Sequence, residues 1–465
     1  MKNFALVFVF VLISSGIVPA AGLNHKEQPA PSTLVITGVT IVDVEKSVLR
    51  KNCTLAVSGE KIQKISNQLN TDVPDGIRII DGNGLFLMPG LIDAHVHYYD
   101  QATFGPMMIV NGVLFVRDMG NQTHEALALR EKLNNREILG PEMIVTGSVL
   151  DGNPPAIPQI SIPCKTPEEG REAVRKQVGA GVDQIKVYSG LQKDVFLAIA
   201  DEAHKLGIKP VGHIPESIYI EDAAKAGLKS AEHLFGIGKI IAKLLGDSMN
   251  LTTKGMGTDV PYFLRLNDVK REEFREVLKR ISHTGMHVCP TLVVFKHGAH
   301  YKEIFSGKYP MLEYTSPMMK GMWKSIWGNQ PVDIIVPKLL SPMQEVVKEL
   351  HMCGIPLMIG TDLLCPGVIA GYSVHEEMAL WQDAGISPAE ILRSATVIPA
   401  KFMAVDNRLG TAAEGKTASF VLLRSNPLED IRNTDQIESI VFRGRYFSRP
   451  DLDSLQQDVK KMCTQ

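Results

Sequence analysis

From residue 91 onward, short apolar runs alternate with stretches whose apolar positions recur every three to four residues. The runs at 91–97, 113–117, 143–147, 184–188, 209–213, 230–233, 287–294 and 357–362 have the length of strands. Between them, 167–180, 194–206 and 221–226 carry the helical period. Eight strands with intervening helices over roughly 270 residues predict an α/β chain folded as a (β/α)₈ TIM barrel. A doubly wound open sheet is the alternative, but no G-x-G-x-x-G or phosphate loop follows the first strand. The apolar run from Leu85 to Ile92 reads as one buried strand that ends in Asp93-Ala94-His95-Val96-His97.

Both chain ends show a different pattern. Residues 33–42 alternate and are β-branched, and 53–57 and 61–66 flank a Ser58-Gly59 turn. Residues 419–423 and 437–447 also read as strands. The simplest architecture joins the segments 33–88 and 405–450 into a composite β-sandwich beside a barrel spanning 89–404. Two connections, 234–282 and 295–354, are long for a barrel of this kind. The second carries Tyr301, Phe305, Tyr309, Trp323 and Trp327, which fit helices packed on the barrel wall and a substrate-covering lid equally well.

Composition narrows the function classes. The 465 residues are 45% apolar and 22% charged, which is ordinary globular material. A net charge of −2 gives no reason to expect nucleic acid or an anionic membrane as partner. Lys2, the apolar run 4–17 and the small residues up to Ala21 form a signal-peptide pattern, with cleavage expected after Ala20 or Ala21. Residues 1–21 are therefore excluded from the fold. A periplasmic or secreted protein is expected, with no membrane anchor once the signal is removed. The six cysteines are scattered and form no C-x-x-C; isolated buried thiols are the simpler reading, although Cys353 and Cys365 could pair.

Candidate chemistry gathers at the strand ends, where a barrel places its active site. Residues two apart on a strand share a face, so His95 and His97 can point at one ion. Later strands end on His213, His233 and Asp362. Four histidines and an aspartate at one rim suit zinc or a similar divalent ion. No G-x-S-x-G elbow offers a serine nucleophile instead.

The ordered motifs Met88-Pro89-Gly90-Leu91-Ile92-Asp93-Ala94-His95-Val96-His97, Ile185-Lys186-Val187-Tyr188, Gly212-His213-Ile214-Pro215, Glu232-His233-Leu234 and Ile359-Gly360-Thr361-Asp362 resemble those of the metal-dependent amidohydrolase superfamily. More narrowly, the chain is similar to the branch related to imidazolonepropionase and to the Xaa-Pro and Xaa-Arg/Lys dipeptidases. The resemblance implies two divalent metal ions, with zinc expected. His95, His97 and Asp362 would hold the first and His213 and His233 the second, with Lys186 bridging both as a carbamate. An ammonium has no lone pair for a metal, whereas a carbamate is an oxygen-donor anion. A hydroxide generated on the two metals would then attack a carbonyl, with Asp362 shuttling the proton to the leaving nitrogen.

Three further residues are candidates for substrate contact. Tyr188, two positions after Lys186, could donate to the substrate carbonyl or oxyanion. Arg117 could grip a carboxylate in bidentate fashion, against the simpler reading of a salt bridge with Asp118 or another rim acid. His297 follows the seventh run. The expected activity is hydrolysis of a C–N bond in a small molecule, a dipeptide first and a cyclic amide or lactone as the alternative. A non-catalytic metal- or solute-binding protein is the remote one. A homo-oligomer is compatible with the sequence.

Overall fold

The computed structural model describes residues 33–67, 77–247, 259–328 and 336–464; the expected signal segment lies outside them. The first five strands are β1 (Thr33–Asp43), β2 (Val48–Ser58), β3 (Lys61–Ser66), β4 (Arg78–Asp81) and β5 (Phe86–Pro89). They join β15 (Phe420–Leu423), β16 (Ile437–Phe442) and β17 (Arg445–Phe447) from the other end. The order is β17-β16-β15-β5-β1-β2-β3, with β4 also paired to β1. β1 runs parallel to β4 and β5, and the remaining pairs are antiparallel. The two chain ends meet where Met88 pairs with Val421. Leu34, Ile36, Leu55, Val57, Leu87, Phe420 and Leu422 form this sheet's own core. In hydrogen bonding, the expected sandwich is one eight-stranded mixed sheet.

The middle of the chain is TIM-barrel-like. β6 (Leu91–Val96), β7 (Val113–Asp118) and β8 (Glu142–Val145) form one parallel sheet. β9 (Val149–Asp151), β10 (Ser161–Pro163), β11 (Gln184–Val187), β12 (Lys209–Gly212), β13 (Ser230–Glu232) and β14 (His287–Cys289) form another. β6, β7, β9, β11 and β13 are buried on both faces, as strands of a parallel sheet are. The Asp183 amide donates to the Val145 carbonyl (2.9 Å), linking β8 to β11. On the far side Val288 bridges Leu357 in parallel, and the Ala94 amide donates to Ile359 (2.9 Å). Helices pack between the strands. Thr166 caps the helix Pro167–Ala180 by accepting from the Glu169 amide, and Gly181 ends it in the left-handed region.

Several elements differ from the sequence pattern. The run 85–97 is two strands: β5 belongs to the end sheet, and after Gly90 β6 begins the parallel sheet. The run 287–294 stops being a strand at Cys289; Thr291 takes a φ of 52° and opens the helix Leu292–Gly298. Residues 357–363 make isolated bridges and single backbone bonds in place of a ladder. The segment 295–354 includes the helices Tyr301–Phe305, Pro317–Trp327 and Val336–Met352. Its Trp323 is buried and donates from Nε1 to the Leu364 carbonyl at 2.6 Å, so this segment packs on the loop that follows Asp362. A sixteen-residue helix, Arg449–Thr464, closes the chain. All six cysteines are buried free thiols, so Cys353 and Cys365 do not pair. Among the described residues no helix is long and apolar enough to cross a membrane.

Candidate metal centre

His95 lies on β6 and His97 just past its end, two residues on, and both Nε2 atoms lie 3.4 Å from Asp362 Oδ1. His233 Nδ1 lies 3.9 Å from the other carboxylate oxygen. The His95 and His233 rings are 4.6 Å apart, and those of His213 and His233 4.9 Å. His95, His233 and Asp362 offer ligand atoms all within 4.8 Å of one another. The donors come together because the backbone bends where it must. His233 has a φ of 60° and Asp362 one of 55°, so each leaves its strand end in the left-handed region and turns inward. Gly360 allows the close approach: a Cβ there would stand 2.4 Å from Cys289 Sγ and 2.9 Å from His95 Cβ.

The protonation states suit metal binding. Burial holds the His95 and His213 imidazoles well below their usual range, with Lys186 adding to the effect. Burial takes His233 down to about 4. All three are then neutral at physiological pH, the form that binds a cation. Burial alone would raise Asp362, but the imidazoles of His233, His95 and His97 hold its carboxyl well below the usual carboxylate range. Lys186 is fully buried, and burial lowers its amine to about 8, partly opposed by Glu232 and Asp362.

Two of these atoms have no hydrogen-bond partner among the described residues: His95 Nε2 and Lys186 Nζ, both buried. At 3.4 Å the His95–Asp362 approach is longer than a charge-assisted hydrogen bond. Neutral imidazoles, an ionised carboxylate and an orphaned ring nitrogen facing one another are the donor set a divalent cation completes. The residues present therefore fit the metals that the sequence resemblance implies.

Each imidazole is oriented from behind. His97 Nδ1 donates to the Gly120 carbonyl (2.9 Å) and His95 Nδ1 to Glu232 Oε2 (2.8 Å), leaving each Nε2 lone pair toward Asp362. His213 Nδ1 meets Ser189 Oγ (3.0 Å), and His233 Nδ1 meets Thr291 Oγ1 (2.8 Å). Asp93 accepts from the His95 amide, the Thr361 amide and the Thr361 hydroxyl; burial raises it to about 7. Sequence reading assigned no role to Glu232, Ser189, Thr291 or Asp93. The usable signal was an acid in an apolar strand, which is costly unless paired.

Six of the sequence-predicted residues converge here: His95, His97, Lys186, His213, His233 and Asp362. Tyr188 joins them, its ring stacked on His213 at 4.0 Å, and burial raises its phenol well above the usual value, so it remains a donor. Arg117 does not reach the rim. It is fully buried, donating to Ala94 O, Gln184, Ser230 and Glu232, and its ion-pair partner is Glu232 in place of Asp118. It points inward because it shares its face of β7 with Val113 and Phe115, both buried. His297 also departs from expectation: it lies on the helix Leu292–Gly298, fully buried, with Nε2 3.0 Å from Glu376.

Comparison with known proteins gives a family. The model of the amidohydrolase family matches residues 86–446. A 5-methylthioadenosine/S-adenosylhomocysteine deaminase of Carboxydothermus hydrogenoformans is 34% identical over 65 residues, 14% of this chain and 15% of that protein. A solved bottromycin amidohydrolase superposes with a TM-score of 0.73 at 23% identity, over 93% of this chain and 91% of that one. A prolidase complexed with N-methylphosphonate-L-proline superposes with a TM-score of 0.66 at 21% identity, over 90% of this chain and 100% of that one. At these identities the two structures establish likeness of fold.

Proposed function

The chain belongs to the amidohydrolase family, and we propose that it is an exported, binuclear metal-dependent hydrolase that cleaves a small C–N amide substrate, a dipeptide first. The observation that carries this reading is the convergence of neutral imidazoles and an ionised carboxylate on the orphaned His95 Nε2 beside the buried Lys186 amine. His95, His97 and Asp362 would hold one ion, His213 and His233 the other, and a carbamate on Lys186 would bridge them. Such ions, zinc by the donor set, supply Lewis acidity and bring the pKa of a water down toward ~7.

The protein's own groups then divide the work. Asp362 is ionised and can take a proton from the attacking water on a carboxylate oxygen and deliver it to the leaving nitrogen. Tyr188 stays protonated and can donate to the substrate carbonyl oxygen as charge develops there. Lys186, at about 8, has a far larger neutral fraction at physiological pH than an exposed lysine, and only the neutral amine can add carbon dioxide. The backbone bonds from Val145 to Asp183 and from Ile359 to Ala94 support reading the parallel strands as a closed eight-staved barrel, 89–404, beside a composite domain of 33–88 and 405–450.

The prolidase likeness favours a dipeptide with a free carboxylate. A second reading, an uncharged or cyclic amide, is favoured by how cations near the strand ends are paired. Arg117 is held by Glu232, Lys239 by Glu216, and Lys296 by Glu376. The test is metal analysis of the purified protein followed by a dipeptide panel run beside C-terminally blocked and cyclic amides. About two divalent ions per chain and release of free amino acids are expected. Ring opening without any dipeptide cleavage would move the assignment to the second reading, and a metal-free, inactive chain would end both. For export, the mature protein should begin just after Ala20 or Ala21 and lie outside the cytoplasmic fraction; retention with Met1 intact would overturn that part.

A further inference from the structure

Beneath His95 lies a charged unit that the proposed reaction does not use. Arg117 and Glu232 are both fully buried and pair at 3.0 Å. Arg117 Nε donates to the carbonyl of Ala94, the residue before His95 on β6 (2.5 Å). Its other nitrogens donate to Gln184 Oε1 (3.4 Å), Ser230 Oγ (3.0 Å) and both Glu232 oxygens (3.0 and 3.2 Å). Glu232 Oε1 also accepts from Ser230 Oγ (2.6 Å), and Oε2 from His95 Nδ1 (2.8 Å). One guanidinium therefore holds the backbone behind His95 and the carboxylate that holds its ring.

We infer that Arg117 and Glu232 are positioning residues for the metal ligand His95: they fix its tautomer and its place, and are retained for that purpose more than for stability. This rests on the metal-dependent reading above. The carboxylate keeps the proton on Nδ1, which leaves the Nε2 lone pair pointing at Asp362. In the other tautomer Nε2 would carry the hydrogen and have no lone pair for a cation. Glu232 is held in this buried place by its pairing with the guanidinium at 3.0 Å and by hydrogen bonds from Ser230 Oγ and His95 Nδ1. The guanidinium also makes the neighbouring trio His95, Glu232 and Cys289 a poor cation site, although its ligand atoms lie as close together.

A merely structural ion pair predicts something different. Replacing a buried pair with apolar residues of similar volume is often neutral or stabilising. The decisive variant is the double substitution Arg117→Met with Glu232→Met, compared with wild type for thermal unfolding and for zinc affinity by competition with a chromophoric chelator. The expected result is a folded protein whose tighter zinc step is weakened about 10- to 100-fold. Wild-type zinc affinity in the folded double variant would overturn the inference. If that variant does not fold, Glu232→Gln decides: its shape is retained, zinc affinity is expected to fall about tenfold, and an unchanged affinity would overturn the inference. A wild-type chain that binds no metal would remove the hydrolase reading and this inference together, whereas variants that bind as well as wild type would remove this inference alone.

Discussion

Lys186 is held in an environment that disfavours its charge, and the cost can be measured. Burial lowers its pKa from 10.5 to about 8. A lysine with a depressed folded-state pKa destabilises the fold wherever it must be protonated. The full penalty applies below the folded value and is relieved as pH rises from about 8 toward 10.5, because the unfolded chain then binds the extra proton. The shift corresponds to about 3 kcal/mol near neutral pH, falling to about 2 kcal/mol two pH units higher. Lys186→Met keeps the length of the apolar stem and removes the amine. The metal-free variant should therefore be more stable than metal-free wild type by about 3 kcal/mol near pH 7, with the gap narrowing by roughly 1 kcal/mol near pH 9. The assay is urea unfolding in chelator and carbonate-free buffer at both pH values, with metal loading and turnover measured in parallel. Metal binding and activity should be lost in the same variant that gains stability. A variant no more stable than wild type, or a gap that does not change with pH, would refute a buried, strained amine.

Asp362→Asn should lower kcat by about 10²- to 10⁴-fold, more than any loss of metal explains, since the amide cannot carry the transferred proton; kcat at saturating zinc checks this. Gly360→Ala drives a methyl against Cys289 Sγ and His95 Cβ, so a loss of about 1–3 kcal/mol with weakened metal binding is expected, and adding Cys289→Ala should recover stability more than metal affinity. Trp323→Phe removes the bond to the buried Leu364 carbonyl and should cost about 1–3 kcal/mol in unfolding experiments. If the same variant leaves KM and kcat untouched, the loop after Asp362 does not depend on that helix.

The donors were legible because strand alternation is a local rule. His95 and His97 two apart, Lys186 in an apolar run, and His213 after Gly212 could be assigned to strand ends without knowing the rest of the chain. The end strands were legible for the same reason. What sequence could not reveal lay where the backbone leaves the strand region. Thr291 at a φ of 52° ends β14 early and turns an apolar stretch that reads as strand into a helix, which carries His297 away to Glu376. The turn at Asp362 likewise leaves the eighth segment with single bonds in place of a ladder. Apolar periodicity does not encode left-handed residues. Arg117 is open to two readings in sequence, a substrate contact or a salt bridge with Asp118 or another acid, and only the partner Glu232 on a distant strand decides for the salt bridge and makes burial affordable.

The split of the 85–97 run at Gly90 bears on when the protein can first assemble. β5 and β6 are separated by one residue, yet β5 takes its second neighbour from β15, where Met88 meets Val421. During synthesis the strand carrying His95 hangs from a sheet whose other half has not yet been made. The edge of β5 stays open until the last strands arrive, a pairing that is slow by its sequence separation and exposed to wrong partners meanwhile. Truncations that remove β15 to β17 should therefore yield aggregation-prone chains even though every metal donor is present, because the C-terminal strands close the edge from which the histidine strand is suspended.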